Sequence, residues 1–413
     1  MKLKLKKYNS IGIEELNAAK KVVSSGKLSQ FVAGNTREFF GGSNIKKFEK
    51  YLTKFYNVKY AITVNSWTSG LIAIVGSLDI EPGDEIIVTP WTMCATSTAI
   101  LHWNCIPVFA DIDKNSFNLD PNDVKKKITS KTKAIIAADI FGYPCDIDSL
   151  KKVVGKRKIK IITDSAQAPY SHYKGKLTGT LSDIGGFSLN FHKIINTGEG
   201  GIIVTNNDKL AKRVMLIRNH GEARIKTKNK SKLSNIIGHN FRMGEIEAAI
   251  GLQQYKKLKK IVKDRTLMVN NLMNNLAKLP FIILPKIEKN FSHNFYILPI
   301  VLDEKIQSKR KKIVKLFREI GIEGANEGYV NLHLLPMFTQ KIAYGKKHFP
   351  WNLNDKKYNY KRGICKVAEE LHHKSFISLE ICLYDLNKKT INELTKAFKF
   401  VWHKLNIKKS LSK

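Results

Sequence analysis

The chain has few of the features that would place it in a membrane, in an oxidising compartment or around a metal ion. No apolar run is long enough to span a bilayer, and the basic N-terminus lacks the apolar stretch and cleavage site of a secretory signal. Its five cysteines are odd in number and form no CxxC pair, which argues against a disulfide framework and against a zinc site. We therefore expect a cytoplasmic protein with no metal site and no membrane association.

Acidic residues are also scarce, with 35 of them against 71 lysines and arginines, so the formal net charge is +36. Such a charge is typical of nucleic-acid-binding proteins. Here, however, the lysines are spread over most of the chain, and no basic tract carries interleaved aromatic residues. We predict no nucleic-acid partner. The positive field would instead favour an anionic small molecule, such as a nucleotide diphosphate.

Between residues 58 and 205, short runs of β-forming residues alternate with helical stretches. The runs cover residues 60–64, 85–88, 107–111, 134–138, 159–163 and 201–205. Several of them are apolar on both faces, as buried parallel strands are. The alternation predicts an α/β fold in which helices flank a mostly parallel sheet.

After Arg242 the pattern changes. Apolar residues recur at helical spacing and predict one long helix that ends near Leu276. Later runs indicate a smaller C-terminal α+β domain, so we place the large domain at residues 1–255 and the small domain at 256–413. Residues 322–363 are irregular, and a loop of that length is more often functional than not.

One lysine, Lys193, stands in a short segment between two apolar runs. Small and glycine residues follow it at 197–201, and such residues let a flat cofactor approach the backbone closely. A lysine desolvated beside a cofactor can have a lowered pKa and act as nucleophile and proton carrier. For any one lysine of so basic a chain, a place on the surface is the alternative.

Asp164 ends a strand-like run upstream of this lysine. In open α/β sheets, ligands bind beyond the carboxyl ends of the strands. A carboxylate there can keep a pyridine nitrogen protonated, although a helix N-cap is a competing interpretation. A lysine and an aspartate of this kind are the two groups that a pyridoxal phosphate (PLP) enzyme requires.

Other segments could complete such a site. Residues 65–70 follow the first strand and open a helix, where hydroxyls and backbone N–H groups can bind a phosphate. Ser188 could add a hydroxyl. Trp91 follows another strand end and could stack on a pyridine ring, but core packing would explain it as well.

Three polar residues near these motifs have no role that the sequence identifies. His192 and Glu199 flank the lysine, and we interpret them as residues that shape the site. His333 could face a substrate, or it could be a structural histidine.

Together these motifs resemble those of the DegT/DnrJ/StrS-type sugar aminotransferases, which are fold-type-I PLP enzymes. The resemblance covers nearly the whole chain. Besides the Lys193 segment, the matching segments are residues 82–85, 107–113, 131–136, 141–148, 164–168, 218–221, 238–243 and 247–252. Each segment is weak evidence alone, but their order and spacing are specific to the family.

The resemblance implies roles around the cofactor ring. Lys193 matches the lysine that binds PLP covalently and moves the proton during transfer. Asp164 matches the partner of the pyridine nitrogen, and Gln167 matches a residue near the phenolic oxygen. Trp91 matches the aromatic residue that stacks on the ring.

The resemblance also implies a phosphate site, formed by Trp67, Thr68 and Ser188. Asn240 matches a residue that reaches the phosphate of the neighbouring subunit, which implies a homodimer with shared active sites. The chain departs from the family in two places. The usual Gly-Thr of the phosphate turn is Trp67-Thr68 here, and the usual Ser-Phe-His before the lysine is Ser-Leu-Asn.

The implied activity is transfer of an amino group to a keto group of a nucleotide-linked sugar. The expected amino donor is L-glutamate, and the expected pathway is synthesis of surface polysaccharide or glycoconjugate. Three alternatives remain: the same chemistry on a cyclitol or another ketone, a PLP-dependent sugar dehydratase, and a non-catalytic regulatory homologue. In the dehydratase branch a histidine replaces the lysine. The spacing from Ser188 keeps Lys193 at the catalytic position, so His192 is not that histidine.

Overall fold

The computed structural model describes residues 1–34, 36–221 and 237–408. Within them the helices are α1 (Ile13–Ser24), α2 (Ser43–Tyr56), α3 (Trp67–Ser77), α4 (Ala95–His102), α5 (Pro121–Lys127), α6 (Ile147–Val154), α7 (Asp208–Arg218), α8 (Glu245–Leu276), α9 (Arg310–Glu319), α10 (Pro336–Thr339), α11 (Lys366–Glu370) and α12 (Lys388–Lys404). The strands are β1 (Tyr60–Val64), β2 (Glu85–Val88), β3 (Ile106–Phe109), β4 (Thr132–Ala138), β5 (Lys160–Asp164), β6 (His172–Tyr173), β7 (Lys176–Leu177), β8 (Ile184–Ser188), β9 (Gly201–Thr205), β10 (Ile282–Ile283), β11 (Leu298–Leu302), β12 (Ala325–Glu327) and β13 (Phe376–Leu379).

A seven-stranded sheet in the order β1-β9-β8-β5-β4-β2-β3 forms the centre of the large domain. Strand β9 runs antiparallel to both of its neighbours, and the other pairs are parallel. The predicted α/β fold with a mostly parallel, mixed sheet is confirmed. All six predicted strands are present, with ends shifted by two residues at most. One further strand, β8, lies between β5 and β9 in the sheet. The sequence does not predict it, because two glycines interrupt its apolar pattern.

The carboxyl ends of six of the seven strands lie at one edge of this sheet. Strands β1, β4, β5 and β8 share a direction, so the segments that follow Val64, Ala138, Asp164 and Ser188 emerge side by side. Strand β9 runs the other way and therefore begins at this edge, directly after Gly200. This arrangement brings segments that are far apart in sequence to one place.

A four-stranded antiparallel sheet, β10-β11-β13-β12, forms the small domain with α9, α12 and the C-terminal half of α8 around its own apolar core. The predicted long helix is confirmed as α8, and it runs through the predicted domain boundary at residue 255. Part of the irregular segment, including Phe338, Trp351 and Tyr360, packs on the core of the large domain. No helix among the described residues is long and apolar enough to cross a bilayer.

Gly186 lies in the middle of β8, between β5 and β9, and has no room for a side chain. A Cβ placed there would overlap the carbonyl oxygen of Ile202 and the ring of Trp67. A backbone carbonyl within a sheet ladder cannot move away without breaking hydrogen bonds. The glycine is therefore required by close packing of the sheet against α3.

We expect Gly186→Ala to lower the free energy of unfolding by about 2 kcal/mol or more, because the added methyl group overpacks the sheet. Gly34→Ala is the matched control, since a Cβ there meets its neighbours at ordinary distances of 3.7 and 3.8 Å and should change stability by less than about 0.5 kcal/mol. Denaturant unfolding of both variants measures the difference. Equal stabilities would contradict this account of the packing.

Candidate active site

A cavity of about 160 Å³ opens at the sheet edge where these segments meet. Its wall contains residues that follow β1, β4, β5 and β8, together with residues from the start of α4. Six of the eight residues predicted for the cofactor site line it, namely Trp67, Thr68, Asp164, Gln167, Ser188 and Lys193. The topology of the sheet thus brings together groups that the sequence separates by more than a hundred residues.

Asp164 is 6% exposed and is held by hydrogen bonds from three chain segments. Its Oδ1 accepts from the indole Nε1 of Trp67 at 2.7 Å and from the backbone N–H of Ala166 at 3.2 Å. Its Oδ2 accepts from the hydroxyl of Thr96 at 2.7 Å. A buried carboxylate needs such donors, and their directions fix its plane.

Lys193 projects into the same cavity, with its Nζ 4.6 Å from the centre of the Tyr296 ring. Burial lowers the pKa of Lys193 to about 8, against smaller opposing effects of the Asp164 carboxylate and of Cys382. About a tenth of this side chain is therefore an uncharged amine at pH 7, and about half of it is at pH 8. That state makes it both a nucleophile and a proton acceptor.

The turn that carries Lys193 is fixed at both ends. The Leu189 N–H donates to the Gly200 carbonyl at 2.9 Å, and the Asn190 side chain donates to Glu199 at 2.7 Å. From the N-terminal segment, the Tyr8 hydroxyl donates to the Ile194 carbonyl at 2.9 Å. Glu199 and Asn190 therefore hold the turn closed while also lining the cavity.

The first turn of α3 forms the polar end of the cavity. Ser66 caps the helix by accepting from the Ser69 N–H at 3.1 Å, while Thr68 is exposed to the cavity. The hydroxyl of Ser188 lies on the same wall. Free N–H groups of a first helical turn and neighbouring hydroxyls together form an anion site that suits a phosphate.

Trp67 has a different contact from the one that the sequence predicts. Its indole is 6% exposed and packs against Gly70 and Gly186, where it reaches Asp164 instead of the polar end of the cavity. Its backbone N–H still belongs to the first turn of α3. The indole therefore contacts the carboxylate, and the backbone of this turn, Thr68 and Ser188 remain as the groups that could bind a phosphate.

Two predicted residues are not part of the cavity wall in this chain. Trp91 is fully buried, with its ring 5.7 Å from that of Tyr329 and edge-on to Phe376 at 5.2 Å, so core packing explains it. Asn240 is exposed, and its Oδ1 accepts from the Arg242 Nε at 2.8 Å. Within one chain, the structure places neither residue where it could touch a ligand in the cavity.

Met93 and Thr96 are among the residues of the wall that the sequence motifs do not predict. Met93 follows Trp91 by two positions, lines the cavity and is 63% exposed, so it holds the place that was predicted for an aromatic ring. Thr96 lies one turn further along and binds Asp164. A hydroxyl eight residues after the end of β2 is the available indication, but threonine is too common to single out.

The two histidines near the motifs behave differently. His192 lines the cavity beside Lys193, and partial desolvation of its ring together with the lysine charge lowers its pKa to about 4. It is therefore neutral near pH 7. His333 is fully buried, with its Nε2 2.9 Å from the Glu369 carboxylate, and it does not line the cavity. Its surroundings are those of a structural histidine.

The cavity fits PLP in its chemistry. A buried carboxylate suits a pyridine nitrogen, an amine of lowered pKa suits an aldehyde, and the first turn of α3 suits a phosphate. These three groups line one cavity.

Comparison with known proteins gives a consistent result. Residues 24–374 match the DegT/DnrJ/EryC1/StrS aminotransferase family. The chain is 29% identical to the spore coat polysaccharide biosynthesis protein SpsC of Bacillus subtilis, over 83% of this chain and 87% of that protein. It is 33% identical to the GDP-perosamine synthase of Caulobacter vibrioides, over 72% of this chain and 79% of that protein. Among solved structures, the aminotransferase PseC of Helicobacter pylori superimposes with a TM-score of 0.80 at 25% identity, covering 98% of this chain and all of that one.

The lowered pKa of Lys193 predicts the pH at which this residue reacts with an aldehyde. After incubation of the apoprotein with PLP and trapping with borohydride, the rate of labelling at Lys193 should rise with pH and reach half of its maximum near pH 8. Asp164→Asn should move the midpoint to lower pH, because the carboxylate favours the ammonium form. Peptide mapping separates Lys193 from surface lysines, and a midpoint above pH 10 would contradict the prediction.

Proposed function

Because this chain belongs to the DegT/DnrJ/EryC1/StrS aminotransferase family, we propose that it transfers an amino group from L-glutamate to a keto group of a nucleotide-linked sugar, with PLP bound covalently to Lys193. The observation that carries the proposal is the presence, in one cavity, of an amine of lowered pKa and a buried carboxylate whose position is fixed. These two groups have the roles that the reaction requires.

The residues that would hold the cofactor follow from the cavity wall. Asp164 would bind the pyridine nitrogen, and the first turn of α3 with Thr68 and Ser188 would bind the phosphate. Gln167 accepts from the Phe141 N–H at 2.6 Å and donates to the Tyr329 hydroxyl at 3.3 Å, so its amide is fixed on the cavity wall. When bound, PLP would supply the electron sink for breaking a C–H bond of the amine.

Lys193 would move the proton. Its Nζ lies on the same wall as the carboxylate and is partly uncharged at neutral pH, so it can accept a proton from the substrate carbon and return it. The centre of the Tyr296 ring lies 4.6 Å from this nitrogen, within the range of a cation–π contact. His192 is neutral and cannot add a second positive charge there at pH 7.

The acceptor is proposed from the relatives and from charge. One relative is named as a GDP-perosamine synthase, and another is named for spore coat polysaccharide biosynthesis. The net charge of +36 favours the approach of an anionic substrate. A nucleotide-linked keto sugar for surface polysaccharide or glycoconjugate synthesis agrees with both observations.

A second copy of the chain is proposed to complete the site. Met93, which lines the cavity, and Phe191, which lies two residues before Lys193 in the chain, are 63% and 70% exposed. Helix α1 also exposes Ile13, Leu16 and Val23. Asn240 is exposed and does not line the cavity of its own chain. A homodimer would cover this apolar surface and let Asn240 reach the phosphate of its neighbour.

Loss of the lysine should abolish the transfer. The visible absorbance band of the PLP-loaded protein should bleach when L-glutamate is added, and 2-oxoglutarate should form. We expect Lys193→Ala to lower the rate of this half-reaction by roughly a thousandfold or more. Lys399→Ala changes an exposed lysine of α12 and should react like the wild type.

A panel of keto acceptors, analysed by mass spectrometry, tests the second half of the proposal. Gain of nitrogen by a nucleotide-linked sugar is the expected result. Gain of nitrogen by a cyclitol or another free ketone instead would replace the proposed acceptor. Loss of water without gain of nitrogen would identify a dehydratase, and unchanged activity of Lys193→Ala would overturn the mechanism.

The shared site predicts complementation between two inactive variants. Lys193→Ala and Asn240→Asp should each be inactive, but after mixing and subunit exchange the mixed dimers have one intact site, and activity should return to roughly a quarter of the wild-type value. Lys193→Ala mixed with Asp164→Ala is the control and should stay inactive, because both residues serve the same chain. Sedimentation should show a dimer, and a monomer would contradict the proposal.

A further inference from the structure

The indole N–H of Trp67 points at one particular oxygen of the buried carboxylate. We propose that Trp67 is a positioning residue that fixes which oxygen of Asp164 meets the ring nitrogen of PLP, and that this oxygen is Oδ2. The inference deepens the proposed function and rests on it, because it assumes that PLP occupies the cavity. It assigns to the indole a role that differs from binding the phosphate.

A count of hydrogen bonds identifies the free oxygen. A carboxylate offers about four acceptor positions, two on each oxygen. Within the described part of the chain, Oδ1 accepts from the Trp67 indole at 2.7 Å and from the Ala166 N–H at 3.2 Å, which uses both of its positions. Oδ2 accepts from Thr96 alone, at 2.7 Å. One position therefore remains for the ring nitrogen, and it is on Oδ2.

The packing around the indole keeps it in this orientation. A Cβ on Gly186 would overlap the six-membered part of the Trp67 ring, and a Cβ on Gly70 would lie 2.8 Å from it. The ring thus occupies space that only these two glycines leave free. Because the ring cannot rotate within this space, the direction of its N–H is fixed before any ligand binds.

Removal of the indole N–H would leave the Asp164 carboxylate less firmly oriented, while an aromatic ring still occupied the space beside Gly70 and Gly186. Without the indole N–H, Oδ1 would accept only the longer hydrogen bond from Ala166. The carboxylate could then rotate about its Cβ–Cγ bond while the Thr96 hydroxyl kept its hydrogen bond to Oδ2. The ring nitrogen would then meet a carboxylate of less defined orientation. Binding of PLP should weaken, whereas binding of a cofactor without a ring nitrogen should not.

Trp67→Phe tests this inference because it keeps an aromatic ring and loses the N–H. The dissociation constants of the apoprotein for PLP and for the PLP analogue in which a C–H replaces the ring nitrogen are measured by equilibrium dialysis. We expect the constant for PLP to rise by roughly tenfold, and the constant for the analogue to change by less than about twofold. Trp402→Phe is the matched control, since it removes a 2.9 Å indole hydrogen bond to the Pro280 carbonyl in the small domain.

A double-mutant cycle gives a second readout. If Trp67 acts through Asp164, Trp67→Phe should have little further effect on PLP binding in an Asp164→Asn background. Where Trp67→Phe does not fold, a tryptophan analogue with sulfur in place of the indole N–H can be incorporated at position 67, because it keeps the shape of the ring. We expect the same tenfold rise in the dissociation constant for PLP and no such rise in the constant for the analogue.

Equal rises in the dissociation constants for PLP and for the analogue would show that Trp67 is merely structural, and they would overturn the inference. Unchanged dissociation constants for both ligands would overturn it as well. These outcomes differ from failure of the proposed function. If wild-type protein binds no PLP, the proposed function fails with the inference. If wild-type protein binds PLP and transfers nitrogen while Trp67→Phe binds PLP unchanged, only the inference fails.

Discussion

The need to satisfy one buried carboxylate organises the site. An ionised group removed from water is costly unless hydrogen-bond donors replace the water, and at Asp164 these donors come from the start of α3, from α4 and from the turn after β5. Bringing them within reach fixes three chain segments at one edge of the sheet. The turn with Lys193 emerges at the same edge, so the arrangement that satisfies the carboxylate also forms the cavity wall around the amine.

Much of the fold could be predicted from the sequence because its strands are simple. Strands β2 and β4 contain the apolar runs 86–88 and 134–138, and α8 is a long helix of regular period. Strand β8 escaped prediction because Gly185 and Gly186 remove the apolar pattern, and they are glycines for a tertiary reason: the adjacent backbone and the Trp67 ring leave no space for a Cβ. Such a requirement arises only when distant segments pack together.

A site residue could be predicted where its type and its position in the chain together indicate one chemical role. Lys193 and Asp164 were found because a lysine in a glycine-rich turn and an aspartate at a strand end suggest specific roles. Trp67 was placed with the phosphate because sequence gives the position of a residue and not the direction of its side chain. Trp91 and Met93 are two residues apart and their side chains take opposite directions, one into the core and one to the cavity, which the pattern of the segment does not encode.

Helix α8 belongs to two hydrophobic cores at once. Its first half packs in the large domain through Ala248, Tyr255 and Leu258, and its second half packs in the small domain through Val269 and Leu272. With 32 residues it is about 48 Å long. A single continuous helix is common to both cores, so loss of the packing in either core would expose apolar residues of α8 to water. The two cores are therefore joined by a continuous helix, with no break in its backbone hydrogen bonding between them, and not by a flexible linker.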